Sequence, residues 1–499
     1  MPGIFLRKSI EQSKDDGSST DENSLRKSLS AFDLTVFGVG VVIGTGIFVL
    51  TGVQAHENAG PAIGLSFVLA AIACTFAALC YAEFAASVPV AGSAYTFSYA
   101  TLGELVAWII GWDLALELAL GAAVVSKGWS GYFQTLLNLP SSISGDDAKF
   151  DLIAVLIVAA VTVLLLLGTK LSGRVTGIMV VIKVAVVLFV IIAGLFYVKG
   201  SNYHPFLPHS QPAAKGSGGS EPLLQAVLGI APGHFGLWGV IAAASLVFFA
   251  YIGFDIVATS AEETKNPQRD MPRGIIGTLV ICTVLYIAVS TVIVGMLKYS
   301  DPRLSSAAPL ADAFKSVGAD WAARLVSFGG ILGITTVIIV LMMGQARILF
   351  AMSRDGLLPK AMSAVSPRFG TPWATTIITG IVVAALAAFI SLEKLSELVN
   401  IGTLFAFVVV SIGVVVLRRT RPDLERPFKV PAVPWLPIIS VLACVWLMIN
   451  LPVDTWIRFA IWLAVGLVIY FCYGYQHSRV REEARSGRPT PSRSGSSTV

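Results

Sequence analysis

The sequence predicts an all-α integral membrane protein of about 12 transmembrane helices, the first ten forming a 5+5 inverted repeat with broken helices 1 and 6. Three observations predict it. Only 13% of the residues are charged while 55% are hydrophobic, and the mean hydropathy is +0.78, against about 25% charged for an ordinary soluble chain. Apolar runs of about 20 residues recur almost end to end, the length needed to cross a ~30 Å hydrocarbon core. The first run, Phe37-Gly-Val-Gly-Val-Val-Ile-Gly-Thr-Gly-Ile-Phe48, holds Gly38, Gly40, Gly44 and Gly46. Glycine costs a helix interior up to about 1 kcal/mol relative to alanine, so this cluster marks backbone able to leave the helix. Unwound backbone inside a bilayer is tolerated only where it faces protein or a water-filled cavity, which points to a solute site near mid-membrane.

In chain order, residues 1–30 are polar and rich in Ser, Asp and Lys, and read as a disordered cytoplasmic tail without a cleavable signal peptide. Twelve spans follow at roughly 32–53, 60–86, 103–136, 151–169, 175–198, 237–261, 273–297, 321–352, 373–391, 397–417, 432–451 and 455–475. They divide into a first five-helix repeat (31–199), an external loop (200–236), a second repeat (237–418) and helices 11 and 12 (419–476). Residues 477–499 form a second cytoplasmic tail. The loop contains a flexible Lys215-Gly-Ser-Gly-Gly-Ser220 portion. Five spans per repeat is odd, so the second repeat inserts upside down relative to the first.

Lys and Arg fix the orientation. They crowd Arg7 to Lys27, Lys170 and Arg174, Lys265 to Arg273, Arg354 to Arg368, Arg418 to Lys429 and the chain after Arg479. The opposite loops carry few, among them Lys149, Lys199 and Lys394. By the positive-inside rule both termini are cytoplasmic. The net charge of +5 expresses that asymmetry and gives no reason to expect nucleic acid as a partner. Cys74, Cys80, Cys282, Cys444 and Cys472 fall in apolar runs without metal-ligand spacing, and read as packing residues.

The two halves correspond at their breaks. Span one has Gly44-Thr45-Gly46 at mid-depth; span six has Phe248-Phe-Ala-Tyr-Ile-Gly-Phe-Asp255. Interrupted helices at matching positions mark an inverted-repeat transporter, whereas glycines alone also serve close helix packing. The amide N–H groups of Thr45, Gly46 and Ile47, beside Ile43 and Gly44, suit a carboxylate at a half-helix N-terminus. Carbonyls near Phe249, Ala250 and Gly253, beside Tyr251, suit an α-ammonium group. Together they grip a zwitterion and leave its side chain to other helices.

Span one, the Tyr81-Ala-Glu-Phe…Pro89-Val-Ala-Gly92-Ser-Ala-Tyr95 segment and Tyr251-Ile-Gly-Phe-Asp255 resemble the amino acid–polyamine–organocation superfamily. Gly111-Trp-Asp-Leu-Ala-Leu-Glu117, Ala261-Glu-Glu-Thr-Lys-Asn-Pro-Gln-Arg-Asp-Met-Pro272 and Gly344-Gln-Ala-Arg347 narrow the likeness to bacterial members of the cationic amino acid transporter family. It runs from about Leu29 to about Gln476. The resemblance implies a LeuT-like core and an L-amino acid substrate. A small accessory membrane subunit is compatible with it. Nothing in the tails resembles an organelle address, so the plasma membrane is the expected location.

Lys183 lies about 13 Å into span five at 1.5 Å per residue, close to mid-membrane. A charge there is costly unless partnered, so it is either a functional group or a permanently tied structural lysine. In related proton-coupled transporters a lysine here occupies the place of a sodium ion. By that resemblance protonated Lys183 bridges to carbonyls near Gly40 to Ile43 and couples transport to protons. Asp113 and Glu117 share a helical face in span three. Glu117 either faces the pocket or bonds a neighbouring helix as a neutral acid. Asp255 is a relay or gate candidate, or else a cap for freed N–H groups. Glu83 and Arg347 read as paired or snorkelling ends, and Glu262 and Glu263 as a solvated loop or gate. Leu341, within Val337-Ile-Ile-Val-Leu-Met-Met343 of span eight, fills the pocket and favours small neutral amino acids such as alanine.

These residues predict a secondary active transporter moving L-α-amino acids with protons by alternating access. The alternatives are a gradient-independent exchanger and a non-transporting sensor. No catalytic residue, cofactor or metal is expected: no intramembrane His-Glu-x-x-His occurs, and His56, His204, His209, His234 and His477 sit at or beyond span ends. No phosphate-binding Gly-x-x-x-x-Gly-Lys loop is present, which argues against an ATP-driven pump.

Overall fold

The computed structural model describes residues 6, 29–87, 93–145, 148–168, 173–212, 221–229, 233–257, 264–366 and 369–486. Most of the N-terminal tail, the Pro89–Gly92 part of the second motif, Lys215–Ser220, Glu262 and Glu263 lie outside them. Among the described residues seven helices are long and apolar enough to cross a membrane, and five more are shorter apolar helices. The only strands there are β1 (Gln211–Pro212) and β2 (Gly233–His234), paired antiparallel beside the long loop.

The helices follow the apolar runs. They are α1 (Ala31–Val42), α2 (Ile63–Ser87), α3 (Ser93–Thr101), α4 (Glu104–Leu137), α5 (Leu152–Leu166) and α6 (Gly173–Leu195). After the long loop come α7 (Gly236–Val247), α8 (Pro267–Met296), α9 (Pro309–Ser316), α10 (Asp320–Arg354) and α11 (Trp373–Phe389). Then follow α12 (Leu392–Thr420), α13 (Trp435–Ile449), α14 (Val453–Ile469) and α15 (Arg479–Ser486). Local signals set their ends. Ser30 and Asp33 form a reciprocal capping box that starts α1, with N···O distances of 3.4 and 2.9 Å. Asn138, at φ 52°, closes α4 in the left-handed region. Asp151 accepts from the Ala154 N–H at 3.0 Å and caps α5.

Two close helix pairs position the site. α4 and α10 pack antiparallel: a Cβ on Gly111 would meet Met352, and one on Gly121 would meet Leu341. α1 lies on α8, where Gly38 is pressed against Thr278 and Gly274 against Leu34. Small residues allow both approaches, as membrane helices require when burial itself supplies little drive. α14 is fastened to α4 by the stacked rings of Trp112 and Trp462, 4.4 Å apart. At the foot of α4, Arg481 of α15 meets Glu104 at 2.7 Å, both fully buried, and Arg479 donates to the Asp355 carbonyl at 3.1 Å. Residues 479–486, expected only as tail, are thus helical, with Arg481 anchoring the helix at that end.

Candidate functional site

The first break falls within the glycine cluster. α1 stops at Val42, Ile43 is extended (ψ 98°), and the chain resumes as a π-helical turn over Gly46–Leu50. Thr45, Gly46 and Ile47 therefore head a new helical segment, where amide N–H groups have no intrahelical partner. The second break follows α7. A 3-10 turn over Phe248–Tyr251 ends at extended Ile252 (ψ 135°), and Gly253 takes φ +116°, a conformation open to glycine. The breaks touch: a Cβ on Gly46 would overlap the Ala250 backbone, and one on Gly253 would meet Val41.

Tyr286 of α8 ties them together. Its hydroxyl lies 2.8 Å from the Val42 carbonyl and 2.7 Å from the Ala250 carbonyl. With one proton, the hydroxyl serves the two acceptors in competition. The expected free carbonyls are consequently engaged here. Phe249 accepts from Ile252 N–H at 3.2 Å, Gly253 from Ile256 N–H at 3.2 Å, and Ala250 from Tyr286. Short-range turn closure satisfies them because a bare carbonyl in an apolar interior is costly.

Beside the breaks lies a cavity of about 20 Å³, lined by Gly44, Thr45, Gly46, Glu117, Phe249 and Leu341 among the residues expected from sequence. That is room for about one water, so an amino acid requires the walls to part. Val41, Val42, Gly121, Val125, Ile252 and Val337 complete the lining. Ile43, Ile47, Ala250, Tyr251 and Gly253 do not line it. Ile43 and Ile47 point into packed core, and Tyr251 turns to α2, where its hydroxyl donates to the Phe67 carbonyl at 3.0 Å. Thr45 Oγ1 and Glu117 Oε2 are buried without a hydrogen-bond partner, an arrangement that proteins seldom keep unless it serves a purpose.

Lys183 on α6 is fully buried, and its ammonium donates to the Gly40 carbonyl at 2.5 Å and to Thr336 Oγ1 of α10 at 3.0 Å. The Gly40 carbonyl belongs to the last turn of α1 and is free for this bond because the helix stops. The Thr336 hydroxyl donates to the Gly333 carbonyl at 2.7 Å, leaving a lone pair on Oγ1 for the lysine. Asp255 accepts from the Gly253 N–H at 3.2 Å and so caps the second break. Asp113 is fully buried against Gly402, with neither oxygen hydrogen-bonded. Glu83 pairs with Arg418 at 2.6 Å. No cluster suited to a metal ion occurs among the described residues.

Four features had no role assigned from sequence. Tyr286 and Thr336 carried no signal, being one aromatic and one hydroxyl among many in apolar runs. Lys127, 3.8 Å from Asp151, and Glu104 were legible as charges in a span, the signal that singled out Lys183.

Broken helices, a buried cavity between them and a buried ammonium tied to one break define a multi-pass membrane permease, not an enzyme. A family model described as amino acid permease matches residues 29–472, and the chain belongs to that family, within the amino acid–polyamine–organocation superfamily. It is 46% identical over 488 residues to a methylthioribose transporter of Bacillus subtilis (strain 168), covering 96% of this chain and 99% of the relative. It is also 46% identical over 491 residues to the branched-chain amino acid permease BcaP of the same organism, with 96% and 99% covered. Cationic amino acid transporter 4 of Homo sapiens is 31% identical over 597 residues, with 94% and 90% covered.

Proposed function

We propose that this permease is a proton-coupled symporter of neutral L-α-amino acids, working by alternating access across the plasma membrane with both termini cytoplasmic. On this reading the seven long and five shorter apolar helices make twelve spans, with α1 to α6 and α7 to α12 holding the two inverted five-span repeats. The N–H groups of Thr45, Gly46 and Ile47 bind the substrate carboxylate. Carbonyls at Phe249 and Ala250 take the ammonium once Tyr286 moves to Val42. Gly121, Val337 and Leu341 then face the side chain, and once the walls part they offer apolar surface to a small or branched aliphatic group. The branched-chain permease among the relatives supports that substrate class.

The observation that carries the coupling is the bond from Lys183 to Gly40. A carbonyl and a hydroxyl around one buried positive charge form a monovalent cation site, and here the cation is part of the protein. Protonated, Lys183 holds the inner half of α1 against α10. When the proton leaves, the ammonium loses the charge that makes these bonds strong, and α1 is free to swing. Asp255, at the other break, is the second group placed to follow the proton.

Uptake of radiolabelled alanine, leucine and arginine into proteoliposomes tests this, with proton and sodium gradients imposed separately. Accumulation of alanine or leucine driven only by the proton gradient, and abolished in Lys183→Ala, is the expected result. Gradient-independent exchange by both proteins would make Lys183 a structural tie.

A further inference from the structure

A polar stripe runs inward along α12. Glu397 stands in its second turn, 7% exposed, and Asn400 and Thr403 follow at three-residue intervals, both fully buried. Residues three apart are neighbours on a helix surface, so the three side chains form one continuous band. At 1.5 Å per residue the band runs about 9 Å from Glu397 to Thr403.

Each member meets a different element. Glu397 Oε2 accepts the Thr455 hydroxyl of α14 at 2.8 Å. A hydroxyl can bond a carboxylate or a carboxylic acid, so Glu397 can change its protonation in place. Glu393 and Lys394 of α12 and Arg458 of α14 are the charged groups that face it, and Arg458 also pairs with Asp454 at 3.5 Å on the exposed surface. Deeper in, the Asn400 amide donates to the Ser245 and Leu246 carbonyls at 2.9 and 3.1 Å, in the last turn of α7. Asn400 Oδ1 is buried without a hydrogen-bond partner. Thr403 lies beside Glu117 of the central cavity, and its hydroxyl donates to the Val399 carbonyl at 3.0 Å. Its oxygen is thereby left as an acceptor toward Glu117. Gly402 makes room for Asp113, whose two oxygens are likewise buried and unpartnered. The band therefore joins the outer end of α12 to a carboxyl that lines the cavity.

We propose that Glu397 is the outer proton-binding residue of the transport cycle, and that the band Glu397–Asn400–Thr403 leads the proton to Glu117. The proposal rests on the reading of the protein as a proton-coupled symporter. A proton from the outer water neutralises the Glu397 carboxylate. It then leaves Glu397 and neutralises Glu117, which restores the outer carboxylate for the next cycle. Asn400 supplies the acceptor at the midpoint, where a water carrying the proton would be held.

The test uses the full-length protein in proteoliposomes with radiolabelled L-leucine, measured as proton-driven uptake and as counterflow exchange without a gradient. Glu397→Gln is expected to lose driven uptake by about tenfold or more, below the usual worth of a positioned proton-transfer group because other routes remain. Its counterflow should stay within about twofold of wild type, the scale of a substitution outside the substrate site. Glu397→Asp should recover part of the driven uptake. Thr455→Val should move the pH profile of driven uptake to higher pH, because a carboxylate that loses a donor holds its proton more readily. Wild-type driven uptake in Glu397→Gln, or equal loss in both assays by a folded variant, would overturn the proposal. Wild-type leucine uptake that is absent or ignores the proton gradient would overturn the symport reading, and this path with it. If Glu397→Gln aggregates on size exclusion, Thr455→Val decides, and an unshifted pH profile would overturn the path.

Discussion

The ammonium of Lys183 sits 2.5 Å from the carbonyl of Gly40, so a side chain from α6 completes the hydrogen bonding of a helix that stops two residues later. One bond therefore joins a buried charge to the element whose breakage makes the site. Removing the charge and removing its second acceptor should have related consequences.

Thr336→Val keeps the shape of the side chain and deletes the 3.0 Å acceptor of Lys183. A hydrogen bond to a charged group is worth roughly 1.5–3 kcal/mol, so proton-driven uptake should fall about tenfold or more. Counterflow exchange, measured without a gradient, should fall less. Equal losses in both assays would remove Thr336 from the coupling path.

Tyr286→Phe leaves ring packing intact and strips the hydroxyl that bridges Val42 and Ala250. The two breaks then lose their shared donor, and both carbonyls face apolar surroundings. The expected outcome is a loss of about 1–3 kcal/mol of stability, seen as a lower melting temperature in detergent, together with a raised KM for substrate. An unchanged KM would show that the bridge serves folding alone.

Gly46→Ala places a methyl group where the Ala250 backbone already stands, whereas a Cβ on Gly177 meets nothing within 4 Å. Uptake should be lost in the first variant and kept in Gly177→Ala, whose stability should hold or rise by up to about 1 kcal/mol because alanine suits the interior of α6 better than glycine. Comparable uptake by the two would refute close contact between the breaks.

Leu341→Ala widens the cavity over Gly121, which Leu341 now covers. Uptake of larger substrates such as phenylalanine should rise relative to alanine in a competition panel. The hydrophobic cost is about 2–5 kcal/mol of stability, so the comparison should be made at low temperature. A substrate profile identical to wild type would place side-chain selection elsewhere.

Arg418→Ala strands the Glu83 carboxylate, which also accepts the Val430 N–H at 2.7 Å and lies beside Arg426 at 3.7 Å. Arg418 is a quarter exposed, so the loss should fall below the roughly 3–5 kcal/mol of a wholly buried pair. Thermal unfolding should show it, and Arg418→Lys should recover only part because a lysine cannot make the bidentate contact.

Sequence alone determined the membrane class, the helical segments and the family, because these depend on local composition. An apolar run about 20 residues long has few other fates, and glycines at one depth weaken a helix wherever it packs. It also singled out Lys183, since a charge in such a run is conspicuous by itself. Tertiary structure decided what those residues meet. The partners of Lys183 are 143 and 153 residues away, and Tyr286 joins carbonyls 244 and 36 residues distant. Which expected residues line the cavity was settled the same way: Tyr251 turns toward α2 while Val41 and Ile252 turn inward. Periodicity gives a helix its faces. Only the packing of its neighbours fixes which face meets the site, and no local pattern contains that.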